Sequence, residues 1–237
     1  MTSDLRTIYI LAGGHSRRMG TDKAMLPFGG QTLLEYQIDR CRPFFREVVV
    51  LSGQRNYPVP VRHIHDIHPD GGPVSGIHSA LRDASEGPSE MDSAAIMAVD
   101  LPMVSAGVLR MMASTGIPDD ADALVADAAP VPGAASRTGK GNSGPDPVHY
   151  DNAPNDTAPM DHATLQQMNW MTRQPLLGIY SLSVNPELES YFQSGDGSVM
   201  GLLDRLRVKV FPVQPAEIRN INTHEEYEEI RAGISPE

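Results

Sequence analysis

The segment Leu11–Gly30, "LAGGHSRRMGTDKAMLPFGG", combines residue types that can bind an anion. Its glycines, Gly13 and Gly14 among them, let backbone N–H groups approach phosphate oxygens. Its cationic side chains are Arg17, Arg18 and Lys23. The glycine spacing fits neither a Walker A loop nor the dinucleotide fingerprint G-x-G-x-x-G. The segment therefore predicts a phosphate-binding loop of another class, with a tight turn carrying solvated cations as the alternative.

Asp100 ends the apolar run "AAIMAVD". If this run is a buried strand, Asp100 lies at the carboxyl edge of the sheet, where ligands bind in parallel α/β proteins. A carboxylate there suits Mg²⁺, which prefers hard oxygen ligands and bridges substrate phosphates. The alternative for Asp100 taken alone is a cap on the following helix.

Two further groups of polar residues could bind a ligand. Asn220 and Asn222 flank Ile221, so their side chains point the same way if the segment is extended, although an asparagine is also a common turn former. Three histidines share the segment "HIHDIHPDGGPVSG": His63, His65 and His68. They make a zinc site an alternative, but no cysteine accompanies them, and we prefer surface histidines on a short edge strand.

The elements that must position these residues follow from the apolar pattern. Short β-rich runs alternate with helical patterns, which predicts an α/β fold with a twisted, mostly parallel sheet and helices on both faces. Strands are predicted at Thr7–Leu11, Val48–Leu51, Val61–His65, Ala94–Val99, Asp122–Ala126, Leu176–Ser181 and Val208–Val213. Helices are predicted at Thr32–Cys41, Val74–Leu81, Gly107–Ala113, Pro186–Phe192, Val199–Leu206 and from His224, where Thr223 and Glu226 form a capping box.

Residues 1–237 are interpreted as a single domain with one long insertion. Between about 127 and 174 the sequence is rich in turn formers and poor in branched aliphatic residues, which is typical of a disordered surface segment. We also expect a small β-element near the C-terminus.

Composition excludes several classes of partner. The chain has 237 residues and a formal net charge of −11, which argues against broad affinity for nucleic acid or membranes. The single cysteine, Cys41, excludes an intramolecular disulfide, and the N-terminus lacks the apolar core of a signal peptide. A cytoplasmic location is the expectation.

Four motifs carry a family resemblance. The pattern L-A-G-G-x-S-x-R-M-G-x-D-K-x-x-L begins at Leu11, and "GPVSGI", "DLP" and "NINT" follow at Gly72, Asp100 and Asn220. Together they resemble the molybdenum cofactor guanylyltransferase (MobA) family of nucleotidyltransferases. The form "LAGG", where cytidylyl-transferring relatives tend to carry "LAAG", favours guanine as the base.

The resemblance implies a three-layer, Rossmann-like fold of the nucleotide-diphospho-sugar transferase type. It also implies transfer of GMP from GTP to the terminal phosphate of molybdopterin, with Mg²⁺ as cofactor and, as partners, other proteins of molybdenum cofactor biosynthesis. By the same resemblance, Asn220 and Asn222 assist the metal or the triphosphate. The remaining roles are nucleotide binding by Leu11, Ala12, Gly13, Gly14 and Asp66, charge neutralisation by Arg18 and Lys23, and metal binding by Asp100.

Two rivals to this function stay open at the level of sequence. One is a nucleotidyltransferase of the same fold that uses another base or another phosphorylated acceptor. The other is a nucleotide-binding assembly protein without turnover.

Overall fold

Runs of apolar residues form the central strands of one sheet, as the sequence predicts. The computed structural model describes residues 6–13, 21–69, 71–87, 92–128, 172–195 and 197–233. In these ranges the strands are β1 (Thr7–Leu11), β2 (Pro27–Phe28), β3 (Gln31–Thr32), β4 (Glu47–Leu51), β5 (Arg62–Ile64), β6 (Ser93–Ala98), β7 (Ala123–Asp127), β8 (Arg173–Ser181) and β9 (Val208–Pro212). Every residue of β1, β6 and β7 is buried, as expected for strands covered on both faces.

The seven main strands pair in the order β5-β4-β1-β6-β8-β7-β9. Strand β8 is antiparallel to both of its neighbours, and all the other pairings are parallel. Strands β1, β4, β5, β6, β7 and β9 therefore end at one edge of the sheet, and β8 begins at that same edge. The predicted mostly parallel sheet is confirmed.

Four of the six described helices begin at a residue whose side chain caps them, and the other two have a proline in their first turn. The helices are α1 (Leu33–Cys41), α2 (Gly72–Glu86), α3 (Ala106–Ser114), α4 (Asn185–Gln193), α5 (Val199–Leu203) and α6 (His224–Ala232). The capping box of Thr223 and Glu226 is confirmed at the start of α6, and Thr32 and Glu35 form another before α1. Helix α5 is shorter than predicted, because the chain turns after Leu203.

Alternate residues of the strands face two separate cores. Ile8 and Ile10 of β1 pack in the core that contains α1, α3 and α6 residues, whereas Tyr9 and Leu11 pack in the core that contains α2, α4 and α5 residues. Side chains of consecutive strand residues point to opposite faces, so one strand supplies both cores. The predicted three-layer arrangement is confirmed.

The small β-element expected near the C-terminus lies elsewhere. Strands β2 and β3 form a two-stranded antiparallel hairpin early in the chain, and β9 near the C-terminus joins the main sheet. Gly29 and Gly30 connect the hairpin with φ of 58° and 83°, which glycine adopts at little cost. The prediction was wrong about the place of this element, and the hairpin itself was missed because its two strands are too short to leave an alternating pattern.

The predicted insertion at about 127–174 begins and ends inside regular structure. Asp127 is the last residue of β7 and Arg173 the first of β8, and these two residues pair directly. Residues 129–171 lie outside the described part of the chain. Both ends of the insertion therefore lie at the carboxyl edge of the sheet. Across the described ranges, no helix has the length and apolar character needed to cross a membrane.

His78 on α2 is a buried ionisable group in the second core. It is 2% exposed, and within the described residues neither ring nitrogen has a hydrogen-bond partner. Its ring stacks on His68 and Phe192 at centroid distances of 5.3 and 5.6 Å. Burial lowers the pKa of His78 below the usual 6.5, and the charges of His68 and Arg82 act in the same direction while Glu189 opposes them.

Replacing His78 by phenylalanine should reduce the loss of stability on acidification. The unfolded chain takes up the proton first as the pH falls below 6.5, so the contribution of neutral His78 is complete above that pH and is lost between 6.5 and the lower folded-state pKa. Urea unfolding at about pH 7.5 and about pH 5 measures the difference. The same substitution at the exposed His224 is the control, and an equal pH dependence in wild type and His78→Phe would contradict the assignment.

Candidate active site

Two glycines and two aspartates lie at the carboxyl edge of the sheet, because each of them comes two residues after the end of a strand. Gly13 follows β1, Gly53 follows β4, Asp66 follows β5 and Asp100 follows β6. These four strands are adjacent and parallel. The edge is therefore lined in the order Asp66, Gly53, Gly13 and Asp100, and it is where an α/β sheet binds ligands.

Close packing of the backbone requires a glycine at position 13. A Cβ on Gly13 would lie 2.6 Å from the backbone nitrogen of Gly53, which is closer than real side chains approach. The N–H groups of Ala12 and Gly13 both donate to the carbonyl of Leu51, at 2.9 and 3.0 Å. The expectation that the Gly13 amide faces phosphate is therefore corrected: that amide is used to join the ends of β1 and β4.

The carbonyls at the end of β1 are also engaged. Leu11 accepts a hydrogen bond from the N–H of Val99 at 3.0 Å, and Ala12 accepts one from the Tyr57 hydroxyl at 3.1 Å. Leu11 and Ala12 are buried, whereas Gly13 is exposed. Of these three predicted nucleotide-binding residues, Gly13 is the one that presents surface to a ligand.

Asp66 lies beside the turn at the end of β4. A Cβ on Gly53 would come within 3.9 Å of Asp66 Oδ2, so the carboxylate faces this turn. Burial raises the pKa of Asp66, and the nearby His65 opposes that shift. A half-buried carboxylate next to a glycine turn can accept hydrogen bonds from a ribose or a base.

Lys23, Asp100 and Asn222 meet at one point. The Lys23 ammonium donates to Asp100 Oδ2 at 2.8 Å and to Asn222 Oδ1 at 2.9 Å. The side chains of Lys23 and Asp100 are 17% and 18% exposed. Three residues that the sequence analysis selected separately are thus in direct contact, with two oxygen ligands converging on one positive charge.

A short 3-10 turn, Lys23–Met25, presents Lys23 to this cluster. Asp22 caps the turn by accepting from the Ala24 N–H at 3.1 Å. Its other oxygen is 2.7 Å from the Arg55 guanidinium and 3.0 Å from the Tyr57 hydroxyl. Burial raises the pKa of Tyr57 to about 12, so the phenol stays neutral and keeps its proton as a donor. The loop after β4 therefore sets the position of Lys23.

The backbone of Asp100 is tied to the segment that carries Asn222. The N–H of Ile221 donates to the carbonyl of Asp100 at 3.0 Å, and Ile221 itself is buried. The alternative that Asp100 caps the following helix does not hold, because Ser105 is the cap of α3 and accepts from the Val108 N–H.

Asn220 and Asn222 both line one cavity at this edge of the sheet. Asn220 accepts a hydrogen bond from Gln174 Nε2 at 2.9 Å. The cavity has a volume of about 450 Å³, and its walls are Arg173, Gln174, Ile218, Arg219, Asn220, Asn222 and Glu226. It lies on the β8 side of Asp100, whereas Gly13 and Asp66 lie on the β1 side.

A buried ion pair stands at the wall of this cavity. Arg173 Nε lies 3.5 Å from Asp127 Oδ2, and the two side chains are 1% and 2% exposed. Thr172 donates to the other oxygen of Asp127 at 2.6 Å. Burial lowers the pKa of Arg173, and the charge of Asp127 opposes the shift. The pair joins the ends of β7 and β8 beside the site.

Some predicted residues do not join the cluster. Gly14 and Arg18, like Arg17, lie outside the described residues, so their roles stay predictions. The histidines separate: His65 Nδ1 lies 2.9 Å from the carbonyl of Gly53, whereas the His68 ring packs against Phe192 with an interplanar angle of 34°. In the described ranges no group of three or more His, Cys, Asp or Glu side chains is arranged for a metal.

Three residues of the site were missed by sequence reasoning. Asp22 stands beside Lys23 in the quoted motif and could have been recognised as the cap of a turn. Tyr57 is the aromatic residue of the loop "SGQRNYPVP", which is a weak signal. Gln174 left no signal, since only the antiparallel direction of β8 brings it to this edge.

Comparisons with known proteins show which family the chain belongs to. The chain matches the family described as "MobA-like NTP transferase domain" over residues 8–210. It is 26% identical to a probable molybdenum cofactor guanylyltransferase of Carboxydothermus hydrogenoformans over 235 residues, which is 94% of each chain. It is also 39% identical to a molybdenum cofactor guanylyltransferase of Xanthomonas euvesicatoria, over 42% of this chain and 49% of the relative.

Solved structures share the fold. Molybdopterin-guanine dinucleotide biosynthesis protein A from Archaeoglobus fulgidus aligns with a TM-score of 0.65 at 23% identity, covering 95% of this chain and 97% of that one. A 2-C-methyl-D-erythritol 4-phosphate cytidylyltransferase from Thermus thermophilus aligns with a TM-score of 0.59 at 16% identity, covering 95% and 96%. The family match spans well over half of the sequence. The chain therefore belongs to the family of MobA-like NTP transferase domains, and it is a nucleotidyltransferase of the MobA type.

Proposed function

We propose that this chain transfers GMP from GTP to the terminal phosphate of molybdopterin and releases pyrophosphate. The observation that carries the proposal is the contact of Lys23 with Asp100 and Asn222 at the carboxyl edge of the sheet. Two relatives that span nearly the whole chain carry the name "Probable molybdenum cofactor guanylyltransferase", which supports guanine and this acceptor.

The nucleotide is proposed to lie across the ends of β5, β4 and β1. Gly13 is exposed at the end of β1, so its surface is open to a ligand. Asp66 at the far end is in place to accept hydrogen bonds from the ribose or guanine. Lys23 at the near end supplies positive charge to the triphosphate, and Arg18 is proposed to add a second charge from the loop.

Magnesium is proposed to bind at Asp100 and Asn222. Both supply hard oxygen atoms, the ligand type that Mg²⁺ prefers, and both already hold a cation, the Lys23 ammonium. A single carboxylate is sufficient for an ion that keeps several waters and binds substrate phosphates. When bound there, the ion supplies neutralisation of charge on the α- and β-phosphates.

The acceptor is proposed to enter the 450 Å³ cavity on the β8 side of Asp100. Its walls offer the amide groups of Gln174, Asn220 and Asn222, which can pair with a polar heterocycle. The nucleotide and the acceptor then approach Asp100 from opposite sides, as an in-line displacement requires.

The chemistry needs no covalent enzyme intermediate. A terminal phosphate oxygen of the acceptor attacks the α-phosphorus of GTP, and the bond from that phosphorus to the bridging oxygen of the β-phosphate breaks. Negative charge then grows on the leaving pyrophosphate, where the Lys23 ammonium can neutralise it. The rate enhancement comes from positioning and charge.

Two measurements test the proposal. With Mg²⁺ present, GTP among the four ribonucleoside triphosphates should raise the melting temperature most, by about 5 °C or more at a concentration near 100 times its Kd. Incubation with GTP, Mg²⁺ and molybdopterin should then release pyrophosphate. A larger shift with another triphosphate would overturn guanine as the base, and bound GTP without pyrophosphate release would overturn the transfer to molybdopterin.

A further inference from the structure

Helix α1 holds the backbone of the turn that carries Asp100. Gln37 Nε2 donates to the carbonyl of Val99 at 3.1 Å, directly before Asp100. Arg40 donates to the carbonyl of Pro102 at 2.7 Å, and the same Nη1 lies 3.3 Å from Gln37 Oε1. With the Ile221 N–H on the carbonyl of Asp100, three of the four carbonyls of residues 99–102 are held from outside the turn.

Gln37 is an unusual residue for its position. It is 0% exposed on the face of α1 that packs on the sheet, where its helical neighbours Leu33, Leu34 and Ile38 are apolar core residues. Burying an amide without partners costs free energy, so its presence there needs a compensating contact. The carbonyl of Val99 and the guanidinium of Arg40 supply that contact.

Contacts within helix α1 hold Gln37 and Arg40 in place. Its first turn is closed by the capping box of Thr32 and Glu35. The Arg40 guanidinium also lies over the Tyr36 ring, 5.2 Å from the ring centroid, which limits its rotation. Two hydrogen bonds from one helix therefore fix both ends of the turn.

We propose that Gln37 and Arg40 are positioning residues that set the geometry of Asp100 toward a divalent cation, an inference that rests on the proposed metal role of Asp100. They touch neither substrate nor metal in this scheme. Gln37 and Arg40 act on Asp100 by holding the backbone of residues 99–102. If this turn is loosened, the Asp100 carboxylate samples more orientations. The Lys23 ammonium can pair with many of these orientations, whereas a metal ion requires a narrower geometry.

Mn²⁺ binding in the presence of a GTP analogue with a methylene bridge between its α- and β-phosphorus tests the inference without turnover. Gln37→Met keeps the volume and removes the donor to Val99, and it should weaken Mn²⁺ binding about tenfold, the lower end of the effect seen for groups that orient metal ligands. Arg40→Gln should weaken it as well, and Arg40→Lys, which keeps a donor for Pro102, should recover most of the affinity.

The matched control is Tyr191→Phe, which removes a hydroxyl that donates to the Ser198 carbonyl at 2.7 Å and lies outside the site. It should lower thermal stability and leave Mn²⁺ binding unchanged. Should Gln37→Met fail to fold, the two Arg40 variants decide. Mn²⁺ binding equal to wild type in the folded Gln37 and Arg40 variants would overturn the inference.

A parallel assay of pyrophosphate release separates this inference from the proposed function. If wild type binds Mn²⁺ and the variants weaken it, but no GMP is transferred, the function fails and the positioning role stands. If transfer occurs and the variants bind Mn²⁺ normally, the positioning role fails alone. If wild type does not bind Mn²⁺ with the analogue, the metal role of Asp100 and the positioning role are overturned, and pyrophosphate release alone decides the transfer.

Discussion

Asp100→Asn should lower the rate of GMP transfer by about 10³-fold at saturating GTP, because a metal ion stabilises phosphoryl-type transition states by several kcal/mol. Asparagine keeps the shape of the side chain and one oxygen, but it loses the charge that would bind the ion. The Ile221 N–H contacts the backbone of Asp100, so the substitution leaves this hydrogen bond in place. Single-turnover transfer with purified variant measures the chemical step directly.

The matched control for Asp100→Asn is Asp120→Asn. Asp120 also pairs with a lysine, Lys209, at 2.5 Å, but it precedes β7 and so lies at the opposite edge of the sheet. This control should retain wild-type transfer. A variant Asp100→Asn with normal kcat and normal dependence on Mg²⁺ would remove the carboxylate from the mechanism.

Lys23→Met should reduce GMP transfer by about 10²–10³-fold, the effect of removing one group that stabilises developing negative charge. The same variant should bind Mn²⁺ more tightly than wild type when no nucleotide is present. The Lys23 ammonium lies 2.8 Å from Asp100 Oδ2 and so competes with any divalent cation for that oxygen. Removing the ammonium leaves Asp100 and Asn222 available to the ion.

The two effects of Lys23→Met have opposite signs, which a general loss of folding cannot produce. Transfer is measured as pyrophosphate release, and metal binding by titration of Mn²⁺ into nucleotide-free protein. Lys209→Met, at the opposite edge, is the control and should change neither. If Lys23→Met bound Mn²⁺ no better than wild type, Lys23 and the metal would not share the Asp100 carboxylate.

Together these variants test a site in which the Asp100 carboxylate binds either the Lys23 ammonium or a metal ion. The Lys23 ammonium pairs with the Asp100 carboxylate. With nucleotide and metal, the proposed arrangement moves the ammonium to the phosphates and leaves the carboxylate to the ion. The side chain of lysine is long and flexible, so it can make this change without movement of the backbone.

Much of the fold could be predicted because its signals are local. The apolar run of β6 and the capping box at Thr223 and Glu226 each depend on residues close together in the chain. The direction of β8 could not be predicted, since its apolar run reads the same in either direction. The hairpin of β2 and β3 was missed because two-residue strands carry no period.

The residues of the candidate site also fall into those that the local sequence could predict and those that it could not. The motifs identified Lys23 as a cation of the glycine-rich segment, Asp100 as the end of an apolar run and Asn222 as a neighbour of Ile221. Each of these is a statement about residue type and local position. Glycine is needed at position 13 for a different reason from the expected one. The neighbour that excludes a Cβ there is Gly53, forty residues along the chain. Tyr57 left only a weak local signal, and the role of Gln37 left none.

The amino-acid sequence by itself determined the strands of the main sheet, the positions of the helices, the family and the chemical types at the site. The tertiary structure alone decided which of those residues touch. Lys23 meets Asp100 across 77 residues of chain and Asn222 across 199, and these contacts depend on the order and direction of the strands in the sheet. Local sequence sets the conformation of each segment, whereas strand order results from burying both faces of the whole sheet at once.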